Sequence, residues 1–191
     1  MKFCSQCGSA RIEHVVPMGD SRPRHVCPEC ATIYYQNPKI VAGCLPVYGD
    51  RVLLCRRAIE PRHGFWTLPA GFMENEETTV EAAMRETREE ANANVEIEQL
   101  YTLINLPHVS QVYMMYRAKL LDLDFHPGAE SLEVALFTED TLPWNALAFP
   151  TVAQTLRFYF EDRQRQDFLF RAGDIVRVDG QPIYLERRPS P

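Results

Sequence analysis

Residues 71–93, GFMENEETTVEAAMRETREEANA, decide the fold of this chain. The pattern predicts a helix from Thr78 to about Ala91, because Thr78 followed three residues later by Glu81 is typical of a capping box at a helix start. Asn92 stands where a left-handed C-terminal cap is expected, and asparagine is the usual substitute for glycine there. The stretch is therefore predicted to be a short helix between two loops.

The predicted helix gathers acidic side chains on one face. Glu86, Glu89 and Glu90 are related as i, i+3 and i+4, so their carboxylates are neighbours on the helix surface. One interpretation is a solvated acidic face held by Glu81–Arg85 and Arg85–Glu89 ion pairs. The other is a site for a divalent cation, because Mg²⁺ and Mn²⁺ take carboxylate oxygens and keep positions open for substrate phosphates.

The spacing of the charged residues resembles the Nudix box, G-x5-E-x7-R-E-U-x-E-E-x-G-U, in which U is a bulky aliphatic residue. The first glycine and every charged position of that motif are present. The matching residues are Gly71, Glu77, Arg85, Glu86, Glu89 and Glu90. The chain departs from the motif at Thr87, Ala93 and Asn92, which replace two aliphatic residues and the last glycine. These departures change packing and leave every candidate metal ligand in place. The preceding W-T-L-P-A-G, residues 66–71, is similar to the W-x-L-P-G-G of the family.

The resemblance implies an α/β class, with a Nudix α/β/α sandwich built on a mixed sheet and the box forming a loop–helix–loop. It implies about two or three Mg²⁺ or Mn²⁺ ions held by the three box glutamates, with a backbone carbonyl at Gly71 as a further ligand. Glu77 and Arg85 are then support for the box rather than ligands. The ions would neutralise a diphosphate and lower the pKa of the attacking water.

A general base and a further carboxylate are still needed by such a site. The candidates for the base are Glu86 itself, Glu130 and Glu133, and the sequence does not choose among them. Glu130 and Glu133 lie just before and within a predicted strand, where the family usually supplies one more carboxylate. Three arginines are candidates for binding a substrate phosphate, with a plain surface role as the alternative: Arg56, Arg57 and Arg62.

The N-terminal segment carries a second motif, two C-x-x-C pairs separated by 19 residues. This is the spacing of a structural four-thiolate zinc site, with one Zn²⁺ bound by Cys4, Cys7, Cys27 and Cys30. A redox pair or two unrelated pairs are the alternatives. A segment this short has too few apolar residues to fold alone, so the metal would supply its stability. It resembles a zinc ribbon.

The rest of the chain predicts a sequence of strands and helices around the box. We expect a hairpin of 40–48 and 51–57, strands at 95–105 and 111–121, a helix at 151–164, one or two strands after Asp167, and disorder at 187–191. Cys44 and Cys55 are interpreted as small core residues. The domain prediction is a zinc ribbon over 1–35, a Nudix domain over 36–165 and a C-terminal extension over 166–191.

The composition of the chain argues against nucleic-acid and membrane partners. The net charge of −6 argues against a broad nucleic-acid-binding face, and we expect no membrane span because the sequence holds no long apolar run. No signal-peptide pattern follows Met1, so we expect a cytoplasmic protein. The oligomeric state is not readable, and a homodimer is an expectation by analogy with related enzymes.

The resemblance also bears on the substrate. A ribbon fused to a Nudix domain is similar to the NADH pyrophosphatases, but their S-Q-P-W-P-F-P-x-S signature is absent. The chain is closer to a ribbon-bearing group related to FAD and ADP-ribose pyrophosphatases, through residues 35–39, 64–71, 130–133 and 147–149. The expected reaction is hydrolysis of FAD or ADP-ribose with release of AMP. The alternatives are NADH pyrophosphatase activity and a nucleotide sensor that binds nucleic acid through its ribbon.

Overall fold

A computed structural model describes residues 1–187 of the chain. The structure divides into two compact units, residues 1–37 and the residues from Pro38 onward. Within the described residues, no helix has both the length and the apolar character that crossing a bilayer requires.

The first unit is a small antiparallel sheet in the order β1-β2-β3. Its strands are β1 (Glu13–Val15), β2 (Arg24–Val26) and β3 (Ile33–Tyr34). Cys4 and Cys27 are the two buried side chains among residues 1–37, and apolar residues such as Met18 are exposed. The unit therefore has almost no hydrophobic core of its own.

The second unit is built on one large mixed sheet and two α-helices. Its strands and helices are β4 (Lys39–Tyr48), β5 (Arg51–Arg57), β6 (Trp66–Thr67), β7 (Ala70–Phe72), α1 (Thr79–Ala91), β8 (Val95–Leu106), β9 (Gln111–Leu120), β10 (Ser131–Phe137), α2 (Pro150–Arg165), β11 (Arg171–Val178) and β12 (Gln181–Glu186). The hairpin, the two long strands and both helices lie where the sequence predicts them, within one or two residues at their ends.

The large sheet runs in the order β10-β5-β4-β9-β8-β11-β12, with β6 paired to β5 and β7 paired to β4. The β4–β9 and β8–β11 pairs are parallel and the other pairs are antiparallel, which confirms the predicted mixed sheet. Because β6 and β7 pair with neighbouring strands, the loop that leads into α1 is attached to the centre of the sheet.

The two helices cover opposite faces of this sheet. Cys44 and Leu53 pack in a cluster with Ala82 and Ala83 of α1. The adjacent residues along the same strands, such as Leu45, pack instead in a second cluster that includes residues of α2. Since successive side chains of a strand point to opposite faces, the sheet lies between two cores. This is the predicted α/β/α sandwich, with Cys44 and Cys55 buried in the α1 core.

The end of the described chain belongs to the same sheet. β11 pairs in parallel with β8, from Arg171 opposite Thr102 to Asp174 opposite Asn105. The prediction of disorder at 187–191 is wrong for Arg187, whose Nε donates to Asp174 Oδ2 at 2.7 Å. Residues 188–191 lie outside the described part of the chain. The boundary proposed at residue 166 stays a prediction.

Candidate active site and metal centre

Four cysteine sulfurs converge in the first unit. The Sγ atoms of Cys4, Cys7, Cys27 and Cys30 all lie within 4.8 Å of one another. The Cys4–Cys30 and Cys7–Cys27 distances are both 3.6 Å. A tetrahedral zinc with four Zn–S bonds of about 2.3 Å would place its sulfurs about 3.8 Å apart. The donor set and the spacing therefore fit one structural Zn²⁺.

Two similar turns present these cysteines. Gly8 N donates to Cys4 O at 2.9 Å, and Gly8 has a φ of 76°. Ala31 occupies the same place relative to Cys27 and has a φ of 58°, which is rare for a residue with a side chain. The sequence indicated the first turn through its glycine and gave no signal for Ala31.

Tyr34 contacts the cluster from β3. Its hydroxyl lies 2.9 Å from Cys4 Sγ and accepts a hydrogen bond from Ser5 N at 2.9 Å. Because Ser5 N supplies a hydrogen, the Tyr34 hydroxyl hydrogen is free to point at the Cys4 sulfur. This contact lowers the pKa of Cys4 to about 6, since it stabilises the thiolate.

The second site is centred on α1, which begins and ends as predicted. Thr78 is its N-cap and forms a complete capping box with Glu81. Asn92 is a left-handed C-cap with a φ of 49°, and its N–H donates to Arg88 O. Thr87 and Ala93, which replace the two aliphatic residues of the motif, are both buried.

Glu86 and Glu90 both lie against β7, the short strand that precedes the helix. Glu90 Oε2 accepts a hydrogen bond from Ala70 N at 3.2 Å, and the Glu90 side chain is buried. The Glu86 carboxylate occupies the space beside Gly71, where a Cβ atom would lie 2.2 Å from Glu86 Oε1. Only glycine therefore fits at position 71 without moving Glu86.

Arg85 joins the acidic residues into one network. Its Nε and Nη2 donate to both carboxylate oxygens of Glu77, at 3.0 and 2.8 Å. Its Nη1 donates to Glu86 Oε1 at 2.8 Å and to Glu89 Oε2 at 3.1 Å. The Arg85–Glu89 pair was expected, whereas Glu81 serves the capping box instead. Glu77 and Arg85 thus sit where box support is predicted.

Burial sets the electrostatics of the site. Burial raises the pKa of Glu90 to about 8, with further raising by the charges of Glu86 and Glu130. Burial likewise raises the pKa of Glu86, against the lowering effect of Arg85. Two carboxylates that are costly to ionise in the protein are natural ligands for a divalent cation, which would stabilise their charge. Hard carboxylate oxygens fit Mg²⁺ or Mn²⁺.

The carboxylates are less convergent than the cysteines. In residues 1–187, the four cysteines are the one group of three or more such side chains whose ligand atoms converge within 4.8 Å. Glu89 is 59% exposed and is held by Arg85. Binding of a single ion by Glu86, Glu89 and Glu90 therefore requires at least one of them to rotate.

The two candidates for the additional carboxylate lie in different surroundings. Glu130 is close enough for its charge to raise the pKa of both Glu86 and Glu90. Glu133 lies 3.6 Å from Arg56 Nη1, and both side chains are about half exposed. This placement favours Glu130 over Glu133 as the partner of the box.

The three candidate arginines also have different neighbours. The Arg57 guanidinium lies 5.2 Å from the centre of the Phe149 ring, and its charge acts on Glu90. Arg56 donates from Nε to Gly64 O at 3.0 Å, and Arg62 stacks over Phe65. Arg57 is therefore the best placed of the three to meet a phosphate near Glu90.

Sequence reasoning missed two backbone features of this site. The Ala70 N–H donates to Glu90, and the turn at Gly128 contacts the end of α1. A Pro127-Gly128 turn is readable from the sequence, but its contact with Glu89 and Glu90 is not, because they lie 39 and 38 residues earlier in the chain.

Two family models match the chain. The NUDIX domain model matches residues 37–158, and the Nudix N-terminal model, a zinc ribbon, matches residues 2–36. Together they cover both sites described above.

Known Nudix proteins are also similar to this chain. A crystal structure of a NUDIX hydrolase from Nitrosomonas europaea is 58% identical, covers 92% of this chain and 99% of its own, and has a TM-score of 0.88. The NAD-capped RNA hydrolase NudC of Edwardsiella ictaluri is 30% identical over 84% of this chain and 59% of its own length. The human mitochondrial NAD(P)H pyrophosphatase NUDT13 is 32% identical over 75% of this chain.

The curated relatives are longer proteins. This chain spans 59% of the Edwardsiella protein and 38% of the human one. The glutamate spacing of the box, the sandwich fold and the family models agree, and the chain belongs to the Nudix hydrolase family.

Proposed function

We propose that this protein hydrolyses the diphosphate bond of a nucleoside diphosphate derivative, with FAD and ADP-ribose as the preferred substrates and AMP as one product. The observation that carries the proposal is the placement of Glu86 and Glu90 against residues 70–71, with the charge of Glu130 acting on both. This arrangement gathers acidic oxygen ligands beside residues 70–71, where the charge of Arg57 also acts.

Bound Mg²⁺ or Mn²⁺ would neutralise the diphosphate and lower the pKa of the attacking water. The residues to hold the ions are Glu86, Glu89 and Glu90, with the carbonyl of Gly71. Arg85 fixes the orientation of Glu86 and Glu89 through one guanidinium nitrogen. Glu77 in turn fixes Arg85 through a two-point contact.

A base must accept the proton of the water. Glu130 is the better placed of the two residues beyond the box, because it lies near the ligands and is exposed to solvent. Glu133 is occupied with Arg56. Glu86 stays a candidate for this role. Arg57 is assigned to a substrate phosphate, since its charge acts on the site and its fork suits phosphate oxygens.

A second candidate function follows from the relatives, whose names state activities on NAD(P)H and on NAD-capped RNA. FAD, ADP-ribose and NADH share the AMP moiety and the diphosphate bond, so the site described here suits all three. The absence of the S-Q-P-W-P-F-P-x-S signature places NADH second.

The test is hydrolysis of FAD, ADP-ribose, NADH and NAD⁺ with Mg²⁺ or Mn²⁺, with products separated by chromatography. We expect AMP from FAD or ADP-ribose at the highest kcat/KM. We expect Glu86→Gln to lower kcat about 10²–10⁴-fold, as loss of a positioned carboxylate does. Glu96→Gln, at an exposed glutamate of β8 outside the box, is the matched control and should retain activity.

The outcomes separate the alternatives. Preference for NADH would reverse the order of substrates and keep the reaction. Tight binding of one nucleotide with no hydrolysis of any would overturn the enzyme and favour a sensor. Equal loss of activity in Glu86→Gln and Glu96→Gln would mean that the box does not hold the site.

A further inference from the structure

The loop between β9 and β10 closes the C-terminal end of the box helix. The last carbonyls of an α-helix lack partners within the helix and need others. Here His126 N donates to Ala91 O and Gly128 N donates to Glu90 O, both at 3.0 Å. Asn92 Nδ2 donates back to His126 O at 3.2 Å. The loop and the helix are therefore joined through their backbones.

At Gly128 the loop lies directly against the backbone of α1. A Cβ atom at this position would lie 1.6 Å from Glu89 O and 2.8 Å from Glu89 C. The conflict is with backbone atoms of the helix, so no side chain can turn away to relieve it. Gly128 does not have the positive φ that would itself require glycine. Glycine is needed there because of contact alone.

The same loop carries Glu130. Ser131 N donates to Gly128 O at 3.1 Å, and Ala58 N donates to Glu130 O at 2.8 Å. The segment 128–131 is thus fixed on one side to α1 and on the other to the chain after β5. Glu130 lies two residues after Gly128, which is bonded to Glu90 O, and the charge of Glu130 acts on Glu86 and Glu90.

We propose that Gly128 is a positioning residue, which lets the loop dock on the end of α1 and thereby brings Glu130 to the metal-binding glutamates. The inference rests on the proposed function, since it treats Glu86, Glu90 and Glu130 as one cation-dependent site. A residue with a side chain at 128 would push the loop away from the helix and carry Glu130 with it.

The test is a double-mutant cycle on Gly128→Ala and Glu130→Gln, read by Mn²⁺ binding in a calorimeter and by kcat. If Gly128 acts through Glu130, each single variant raises the Mn²⁺ dissociation constant about 10-fold. The double variant then binds Mn²⁺ no more weakly than Glu130→Gln alone. A displacement of this kind should also lower kcat about 100-fold in Gly128→Ala.

Two further variants complete the design. Gly173→Ala is the matched control, because the three atoms nearest its Cβ would all belong to the Tyr184 side chain, and it should keep wild-type Mn²⁺ affinity. Asn92→Gly keeps a residue suited to the left-handed cap and removes one loop contact, and it should weaken Mn²⁺ binding less than Gly128→Ala. It keeps the proposal testable if Gly128→Ala does not fold.

The proposal is overturned if Gly128→Ala and Asn92→Gly both bind Mn²⁺ like the wild type. It is also overturned if the effects of Gly128→Ala and Glu130→Gln multiply, since Gly128 would then not act through Glu130. The Mn²⁺ pattern expected here, in a protein that hydrolyses none of FAD, ADP-ribose, NADH and NAD⁺, would reject the proposed reaction and leave the cation site and this inference standing.

Discussion

The two candidate metal sites of this protein are built in opposite ways. In the ribbon, four sulfurs converge within 4.8 Å on a unit whose only buried side chains are two of those cysteines. In the Nudix domain, the glutamates are anchored by Arg85 and Ala70 on a helix that packs in a large core. The ribbon has almost no hydrophobic core to stabilise it without a metal, whereas the box helix packs in a large core.

The two sites suit metals with different roles, one structural and one catalytic. A closed shell of four thiolates leaves no position for water or substrate, so it serves folding. The box carboxylates range from the exposed Glu89 to the buried Glu90 and do not form a closed shell, so they suit a metal that also binds water or substrate. Variants at each site whose folding and activity are measured separately test this difference.

The largest expected effect is on the ribbon. Removing Zn²⁺ with a chelator, or Cys27→Ser, should unfold residues 1–37, because zinc binding to such sites supplies about 10–16 kcal/mol. The Nudix unit should stay folded. Limited proteolysis read by mass spectrometry should show cleavage within 1–37 and protection after Pro38. Restoring Zn²⁺ should reverse the chelator effect, and a ribbon that resists proteolysis without zinc would contradict the comparison.

The next effect concerns Glu90. Glu90→Gln should lower kcat about 10²–10⁴-fold and leave the melting temperature unchanged or higher, because a buried carboxylate is replaced by a neutral group of the same shape. The Gln oxygen can still accept from Ala70 N. Calorimetry in buffer with EDTA gives the melting temperature. A fall of both quantities together would show that this glutamate serves the fold as well.

The third prediction concerns Tyr34 and the zinc affinity of the ribbon. Tyr34→Phe removes the hydroxyl that lies 2.9 Å from Cys4 Sγ, and loss of such an outer contact typically costs about 10–100-fold in metal affinity. Transfer of zinc to a chromogenic chelator should be faster by a similar factor. Tyr35→Phe is the matched control, since Tyr35 is 65% exposed beside it. Equal rates for both variants would exclude the role of Tyr34.

The smallest effect is a pH dependence at Glu77. Arg85 holds the pKa of Glu77 down to about 2, so the ionised form stabilises the folded state. That contribution is complete above the ordinary pKa of 4.5 and is lost as the pH falls towards 2. The melting temperatures of the wild type and Glu77→Gln should therefore differ at pH 6 and converge near pH 2. A difference that persists at low pH would assign the effect to packing.

The prediction from sequence succeeded where the pattern is local. The α1 caps at Thr78 and Asn92, the cysteine pairs and the β4–β5 hairpin each depend on residues a few positions apart. It was wrong for Arg187, which was expected to be disordered and instead donates to Asp174 next to the β11–β12 hairpin. The choice between Glu130 and Glu133 also needed the structure, since the two lie three residues apart with the same chemistry.

The sequence by itself therefore determined the family motif, the ligand types and the helix that carries the glutamates, because spacing along one helix or one turn fixes which side chains are neighbours. Only the tertiary structure shows that Ala70 N donates to Glu90, that Gly128 abuts Glu89 and that the charge of Arg57 acts on Glu90. These contacts join residues far apart in the chain. Their geometry depends on how strands and loops pack, which no local pattern records.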